Sequence, residues 1–292
     1  MKAIVFGEVI WDVYPDQSVI GGAAFNFGAH MAHLGDEVYL LSAVGADALG
    51  EAAMGELARH GVRTDLMQTN GFSTGACTVT LNEEKIPSYH VHANVAYDHI
   101  ALTEETVARA RAIGAEMIYL NTLCQRGAES RAALRALLEA VPFDECFCDV
   151  NLRTDCFDRE SLGYCLSHAT TVKVSDEEAH FLYEMGLLEK SDLPFEQALA
   201  ARYPNLCLVL YTLGGEGSRV YEAASGKTYE SGKPKPVRVV STVGAGDCYG
   251  ASFMHSYLAN GNIENAIALA TERSGFVVSQ TAAVPYEREG TV

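Results

Sequence analysis

Two hydrophobic periods alternate along the chain. The segments "KAIVFGEVI" (2–10), "VYLLSAV" (38–44), "EMIYLN" (116–121), "CFCDVNLR" (146–153), "TVKVS" (171–175) and "LCLVLYT" (206–212) read as strands. The last has the near-continuous apolar run of a strand buried on both faces of a parallel sheet. Between them lie helical faces. Phe27, Met31 and Leu34 share one before Gly35, and Leu49, Ala53 and Leu57 share another before Gly61. Leu134, Leu137, Leu138 and Val141 form a third, and two long helices, at about 245–260 and 262–280, follow. Strands alternating with helices in this way predict an α/β fold, a doubly wound and mostly parallel sheet flanked by helices.

One stretch breaks the rhythm. Residues 65–98 hold short strand-like pieces, "DLMQT", "GACTVTL" and "PSYHVHA", with no helical period between them. With residues 12–20 they predict a small β sheet inserted in a single domain spanning 1–292, placed to act as a lid. His90 and His92 alternate on its last strand and so face the same way; substrate contact and a solvated face are both open to them. The edges of such a sheet could pair two subunits into a homodimer.

Composition narrows the function. At 48% hydrophobic, 292 residues can bury a substantial core. The 21 basic against 38 acidic residues argue against nucleic acid or an anionic membrane surface as partner, since both need a basic footprint. They do not argue against a nucleotide, because backbone N–H groups bind phosphate in an acidic protein. No apolar run reaches a membrane span, and the opening "MKAIVFGEVIWD", interrupted by Glu8 and Asp12, reads as a buried strand rather than a signal peptide. The eight cysteines are scattered without metal-ligand spacing, as expected of reduced thiols in a cytoplasmic protein.

Two stretches invite a phosphate. "SGKT" (225–228) has the tail of a P-loop, but Tyr221 stands where that motif needs glycine, so it reads as a hairpin turn. "GAGD" (244–247) is better placed. Behind it Tyr249, Phe253 and Tyr257 recur every four residues with Met254 and Leu258 alongside, and Asn260-Gly261 supplies a stop. Gly244 and Gly246 permit a turn whose N–H groups point inward at a helix N-terminus. A carboxylate there, Asp247, suits deprotonation of a hydroxyl attacking a phosphoryl group; a simple helix cap is the alternative.

The stretch 239–253 resembles the C-terminal signature of the PfkB (ribokinase-like) carbohydrate kinases, written D-T-x-G-A-G-D. "GGAAFNFGAHMAHLG" (21–35) is similar to the family's N-terminal signature, and "AVGADALGEAAMGELARHGV" (43–62) and "TLGGEGS" (212–218) resemble its next blocks, in family order. "GEVIWD" (7–12), "HANVAYD" (92–98), "DVNLR" (149–153) and "VVSQTAAVP" (277–285) look most like bacterial fructokinases.

The resemblance implies a ribokinase-like fold with a β lid, and ATP-dependent transfer of a phosphoryl group to a sugar hydroxyl with Mg2+. It implies Asp247 as the base and the N–H groups of Gly244, Ala245 and Gly246 as the anion hole. Asp12, Gly22, Asn26 and Arg153 would hold the sugar, Thr212, Gly214 and Gly217 would line the nucleotide side, and Glu178 would help organise magnesium. On residues alone each also fits a structural role: Asp12 capping a turn before Pro15, Asn26 satisfying its helix, Arg153 an ion pair, Glu178 a first-turn acid.

Three positions depart from the family pattern. Ser241 replaces the signature's first aspartate, which puts potassium (K+) binding in doubt; Ser175 replaces the asparagine of N-x-x-E; Glu272 stands where an asparagine near the adenine is expected. A fructokinase is the leading expectation. The alternatives are a 2-keto-3-deoxygluconate (sugar-acid) kinase and a non-catalytic sugar- or nucleotide-binding relative.

Overall fold

The computed structural model describes residues 1–81 and 87–286. The chain runs through β1 (Lys2–Phe6), β2 (Ile10–Val13), β3 (Ser18–Gly21), α1 (Ala23–His33), β4 (Glu37–Leu41), β5 (Ala43–Gly45) and α2 (Ala48–Arg59). It continues with β6 (Gln68–Asn70), β7 (Gly75–Leu81), β8 (Pro87–Val91), α3 (Glu104–Ile113), β9 (Met117–Asn121), α4 (Ala128–Ala140) and β10 (Glu145–Asp149). Then come α5 (Arg159–His168), β11 (Thr171–Ser175), α6 (Asp176–Glu184), α7 (Phe195–Arg202), β12 (Leu208–Thr212), β13 (Ser218–Glu222) and β14 (Lys227–Glu230). Helices α8 (Ala245–Asn260) and α9 (Ile263–Val278) complete it.

Eight strands form the main sheet in the order β14-β13-β12-β11-β10-β9-β1-β4. Pairing is parallel from β12 to β4 and antiparallel in β12–β13 and β13–β14. The pleat sorts side chains between two cores. Ile4, Phe6, Ile118, Leu120, Cys146, Cys148, Val172 and Val174 face one core, with Leu134 and Leu137 of α4 and Leu182 of α6. Ala3, Val5, Met117, Tyr119 and Phe147 face the other, with Phe27 and Met31 of α1 and Phe253 and Met254 of α8. The sheet is therefore a layer between two sets of helices, as the two-faced apolar strands predicted.

From β1 the chain steps to β4 on one side and later returns to β9 on the other. This reversal opens a crevice at the carboxyl ends of β1 and β9, the usual place for a ligand in such sheets. Asn121, at the end of β9, bridges it by donating to Glu8 Oε2 at 2.8 Å.

A second sheet, β3-β2-β7-β8, stands apart from the first. The expectation for this region needs one correction. "DLMQT" does not join the small sheet: Gln68–Asn70 pair with Ala43–Gly45 in a separate two-stranded ribbon. Leu66 is buried in the main core and anchors that segment there. Of residues 225–228, Ser225 and Gly226 (φ 68°) lie in the β13–β14 hairpin turn, and Lys227 and Thr228 begin β14.

Among the described residues no helix is long and apolar enough to cross a membrane. The eight cysteines are free, and all but Cys207 are buried.

Candidate active site

Helix α8 begins from a turn that only glycine permits. Gly244 has φ 79°, and a Cβ there would stand 2.6 Å from the Cβ of Ala283. The turn thus lies directly on the segment after α9, which His30 pins through a 2.9 Å bond to the Ala283 carbonyl. The Ala245 N–H closes the turn onto Thr242 O at 3.2 Å. Of the N–H groups expected to form the anion hole, that of Ala245 is engaged on Thr242 O, while no backbone acceptor is found among the described residues for those of Gly244 and Gly246, nor for that of Asp247.

Asp247 is buried, and Asn26 Nδ2 donates to its Oδ2 at 2.8 Å. The Oδ1 of Asn26 is buried with no partner. Burial pushes the Asp247 carboxyl above its ordinary range; the Asn26 bond, Lys173 and Arg153 oppose this, while Glu178 adds to it. A desolvated carboxylate held by one amide, with a spare acceptor beside it, can orient a hydroxyl and take its proton.

Glycine is also required where α1 starts. Gly22 has φ 101°, and a Cβ would approach the Glu8 carbonyl oxygen to 2.8 Å. The Glu8 carboxylate accepts from Ala23 N at 2.7 Å and so serves α1, which has no acid of its own in the first turn. Gly22 therefore fixes the approach of Asn26. Asp12, on β2 of the small sheet, is half-buried; burial raises its pKa and Arg153 opposes the rise. Arg153 is exposed, donates to its neighbour Leu152 O at 3.1 Å, and acts on both Asp12 and Asp247.

Beneath the turn sits a pair that the motifs did not mark. Lys173 Nζ meets Asp149 Oδ1 at 2.7 Å, both side chains buried, on directly paired positions of β11 and β10. Glu178 accepts from Leu152 N at 2.8 Å and Ser175 N at 2.9 Å, completing a capping box with Ser175. It thereby joins the β10 and β11 loops. Asn151, with φ 41°, is buried and its Nδ2 has no partner.

On the other side of the turn, Thr212 ends β12 opposite Ser175, and Gly214 opens a short 3-10 turn. Gly217, at φ 103°, lets the loop touch Gly232 O, which a Cβ would overlap at 2.0 Å. Val239, Val240, Val243 and Phe276 leave an exposed apolar surface beside the turn. Glu272 lies on the exposed face of α9. The Ser241 hydroxyl accepts from Val243 N at 3.2 Å. His90 and His92 have ring centroids 5.5 Å apart, and His92 bonds Thr78 Oγ1 at 2.8 Å.

The structure therefore gathers Asp12, Asn26, Arg153 and Asp247 around one crevice, with Glu178 acting on Asp247 from α6. Sequence reasoning missed Glu8, Asn121, Asp149, Asn151 and Lys173. The available signal was polarity in the wrong place: an acid inside "KAIVFGEVI" and a lysine between valines in "TVKVS".

Similarity supplies the class. Residues 4–287 match the pfkB family carbohydrate kinase profile. A probable fructokinase-5 of Arabidopsis thaliana is 25% identical over 313 residues, covering 97% of this chain and 93% of that protein. Among solved structures, an uncharacterized sugar kinase from Pyrococcus horikoshii in complex with ATP superposes with a TM-score of 0.81 at 21% identity, covering 97% and 94% of the two chains. The fructokinase of Vibrio cholerae O395, in its fructose, ADP and calcium ion bound form, gives 0.79 at 20% identity, with coverage of 97% and 94%. This chain belongs to the pfkB family of carbohydrate kinases. It is a phosphotransferase with a sugar hydroxyl as acceptor.

Proposed function

We propose that the chain is an ATP-dependent fructokinase in which Asp247 is the general base. The 2.8 Å bond from Asn26 to Asp247, at the mouth of a glycine turn, carries this reading. The sugar is held by Asp12, by the free Oδ1 of Asn26 and by Arg153. Asp247 takes the proton of a primary hydroxyl as its oxygen bonds to phosphorus and the bond to ADP breaks. The N–H groups of Gly244, Gly246 and Asp247, none of which has a backbone acceptor among the described residues, would stabilise the charge that develops on the phosphoryl oxygens.

ATP fits what this side of the crevice offers. Thr212, Gly214 and Gly217 frame it, and exposed Val239, Val240, Val243 and Phe276 offer the apolar surface a base stacks on. The ATP complex of the Pyrococcus horikoshii relative supports this choice. Among the described residues no group of three or more His, Cys, Asp or Glu could cage a metal. That suits magnesium carried in on phosphates and water. Glu178, both oxygens already taken by backbone N–H groups, would reach it through water; the ion neutralises phosphate charge when bound.

A neutral sugar is favoured over a sugar acid because cations are scarce. Arg126, a second arginine in this region, is fully engaged with Asp98, Tyr97, His92 O and Cys156. Of the two cations acting on Asp247, Arg153 is exposed, while Lys173 is buried against Asp149. The small sheet carrying Asp12 acts as a lid, and free thiols suit a cytoplasmic setting.

ADP release on a panel of neutral sugars and sugar acids tests the reading. Fructose is expected to give the highest kcat/KM. Preference for a sugar acid would overturn the substrate, and silence on every sugar would leave a binding protein.

A further inference from the structure

A lysine inside a parallel strand is costly to bury and must be compensated. The pleat turns Lys173 toward the core that holds α1 and α8, away from Val172 and Val174, and so beneath the Gly244–Gly246 turn. A Cβ on Gly246 would stand 3.4 Å from Lys173 Nζ and 3.5 Å from its Cε. Gly246 is itself exposed, so the ammonium lies one backbone thickness from open crevice.

Lys173 Nζ donates one of its three N–H groups to Asp149 Oδ1 at 2.7 Å, and no other acceptor for Lys173 Nζ is found among the described residues. Two donors remain for a ligand. Burial alone would neutralise the group, but Asp149 and then Glu178 and Asp247 outweigh it and hold the pKa above the ordinary lysine value. The result is a buried ammonium with two unpaired donors beside the first turn of α8; the pKa of its partner Asp149 is itself raised to about 7 by burial, with Lys173 opposing the rise.

We propose that Lys173 is a further catalytic residue, whose ammonium donates to a non-bridging oxygen of the phosphoryl group as it passes over the turn. Asp149 is its positioning residue. This rests on the kinase reading above. Lys173 gives up no proton: Asp247 receives the hydroxyl proton, the sugar oxygen bonds to phosphorus, and ADP leaves with the bonding pair. A cation fixed before the reaction stabilises the charge spread over the phosphoryl oxygens without reorganising.

The rival role is a salt bridge that merely joins β10 to β11, and paired variants separate the two. Lys173→Met leaves Asp149 buried and unpaired, so loss of stability is expected with loss of rate. Lys173→Met with Asp149→Asn removes both charges, and replacing a buried pair by neutral groups is often neutral for stability. The double variant is expected to melt near the wild type while kcat stays about 10²–10³-fold down and the sugar KM changes little. A double variant with kcat within about threefold of wild type, a difference below 1 kcal/mol, would overturn the assignment while the kinase reading stood.

Should the double variant not fold, Lys173→Arg decides. It keeps the charge beside Asp149 but not the geometry of the ammonium. At unchanged melting temperature, kcat is expected to fall at least about tenfold; unaltered kcat would contradict the proposal. A wild type silent on every sugar would overturn the kinase reading and this residue's role together.

Discussion

The side-chain amide of Asn26 donates to Asp247 Oδ2 across 2.8 Å, joining the first turns of α1 and α8, 221 residues apart in sequence. One link thus couples the start of α1 to the start of α8. A hydrogen bond to a charged group contributes about 1.5–3 kcal/mol, so Asn26→Ala should lower kcat/KM by about 10–100-fold. The melting temperature should move far less than the rate. Steady-state kinetics beside thermal melts checks this, and a rate within a factor of two of wild type would remove Asn26 from the account.

The acid side of the pH profile should report the raised carboxylates. Burial places Asp247 above its ordinary pKa, and transfer needs the ionised form, so activity falls as pH drops through that raised value. Arg153 stabilises the ionised forms of both Asp12 and Asp247. Arg153→Ala should therefore shift the acid limb of kcat/KM to higher pH and raise the sugar KM. Asn26, Lys173, Glu178 and Asp149 also act on Asp247, and all four remain in that variant.

Gly244 should tolerate no side chain. Alanine at φ 79° costs about 1–2 kcal/mol in backbone strain, and its Cβ would overlap Ala283 at 2.6 Å. Gly244→Ala is expected to lower the urea midpoint and the activity together, because the turn and the segment after α9 must separate. Gly261, also at positive φ but with open space around it, is the control: Gly261→Ala should cost stability alone.

Potassium should matter little. Ser241 offers no carboxylate, and its hydroxyl already accepts from Val243 N–H. Rates in potassium and in a bulky organic cation at equal ionic strength are expected to agree within about twofold. A steep potassium requirement would mean that other oxygens around the turn make the cation site.

The sequence showed the layered fold because strands with two apolar faces and helices with one have different periods. Asp247 stood out because it sits at a glycine-bounded helix start, whereas Asn26 entered through the resemblance to the family's N-terminal signature. Pairing was less legible. "DLMQT" has a strand's composition, but period alone cannot say that it joins β5 rather than the small sheet. Lys173 was visible as a charge among valines, yet its meaning depends on Asp149 lying opposite it, which follows from strand order and register. Glu8 shows the same limit. It interrupts an apolar run in the sequence and serves the N-terminus of α1 in the fold.

The account turns on Asp247 as a base, and Asp247→Asn is the most direct test. The amide keeps the size of the side chain and can still pair with Asn26, so ATP and sugar should bind within a few-fold of wild type by calorimetry. Single-turnover transfer should fall by about 10²–10⁴-fold, the usual cost of losing a general base. Transfer at the wild-type rate by a folded Asp247→Asn protein would contradict the mechanism.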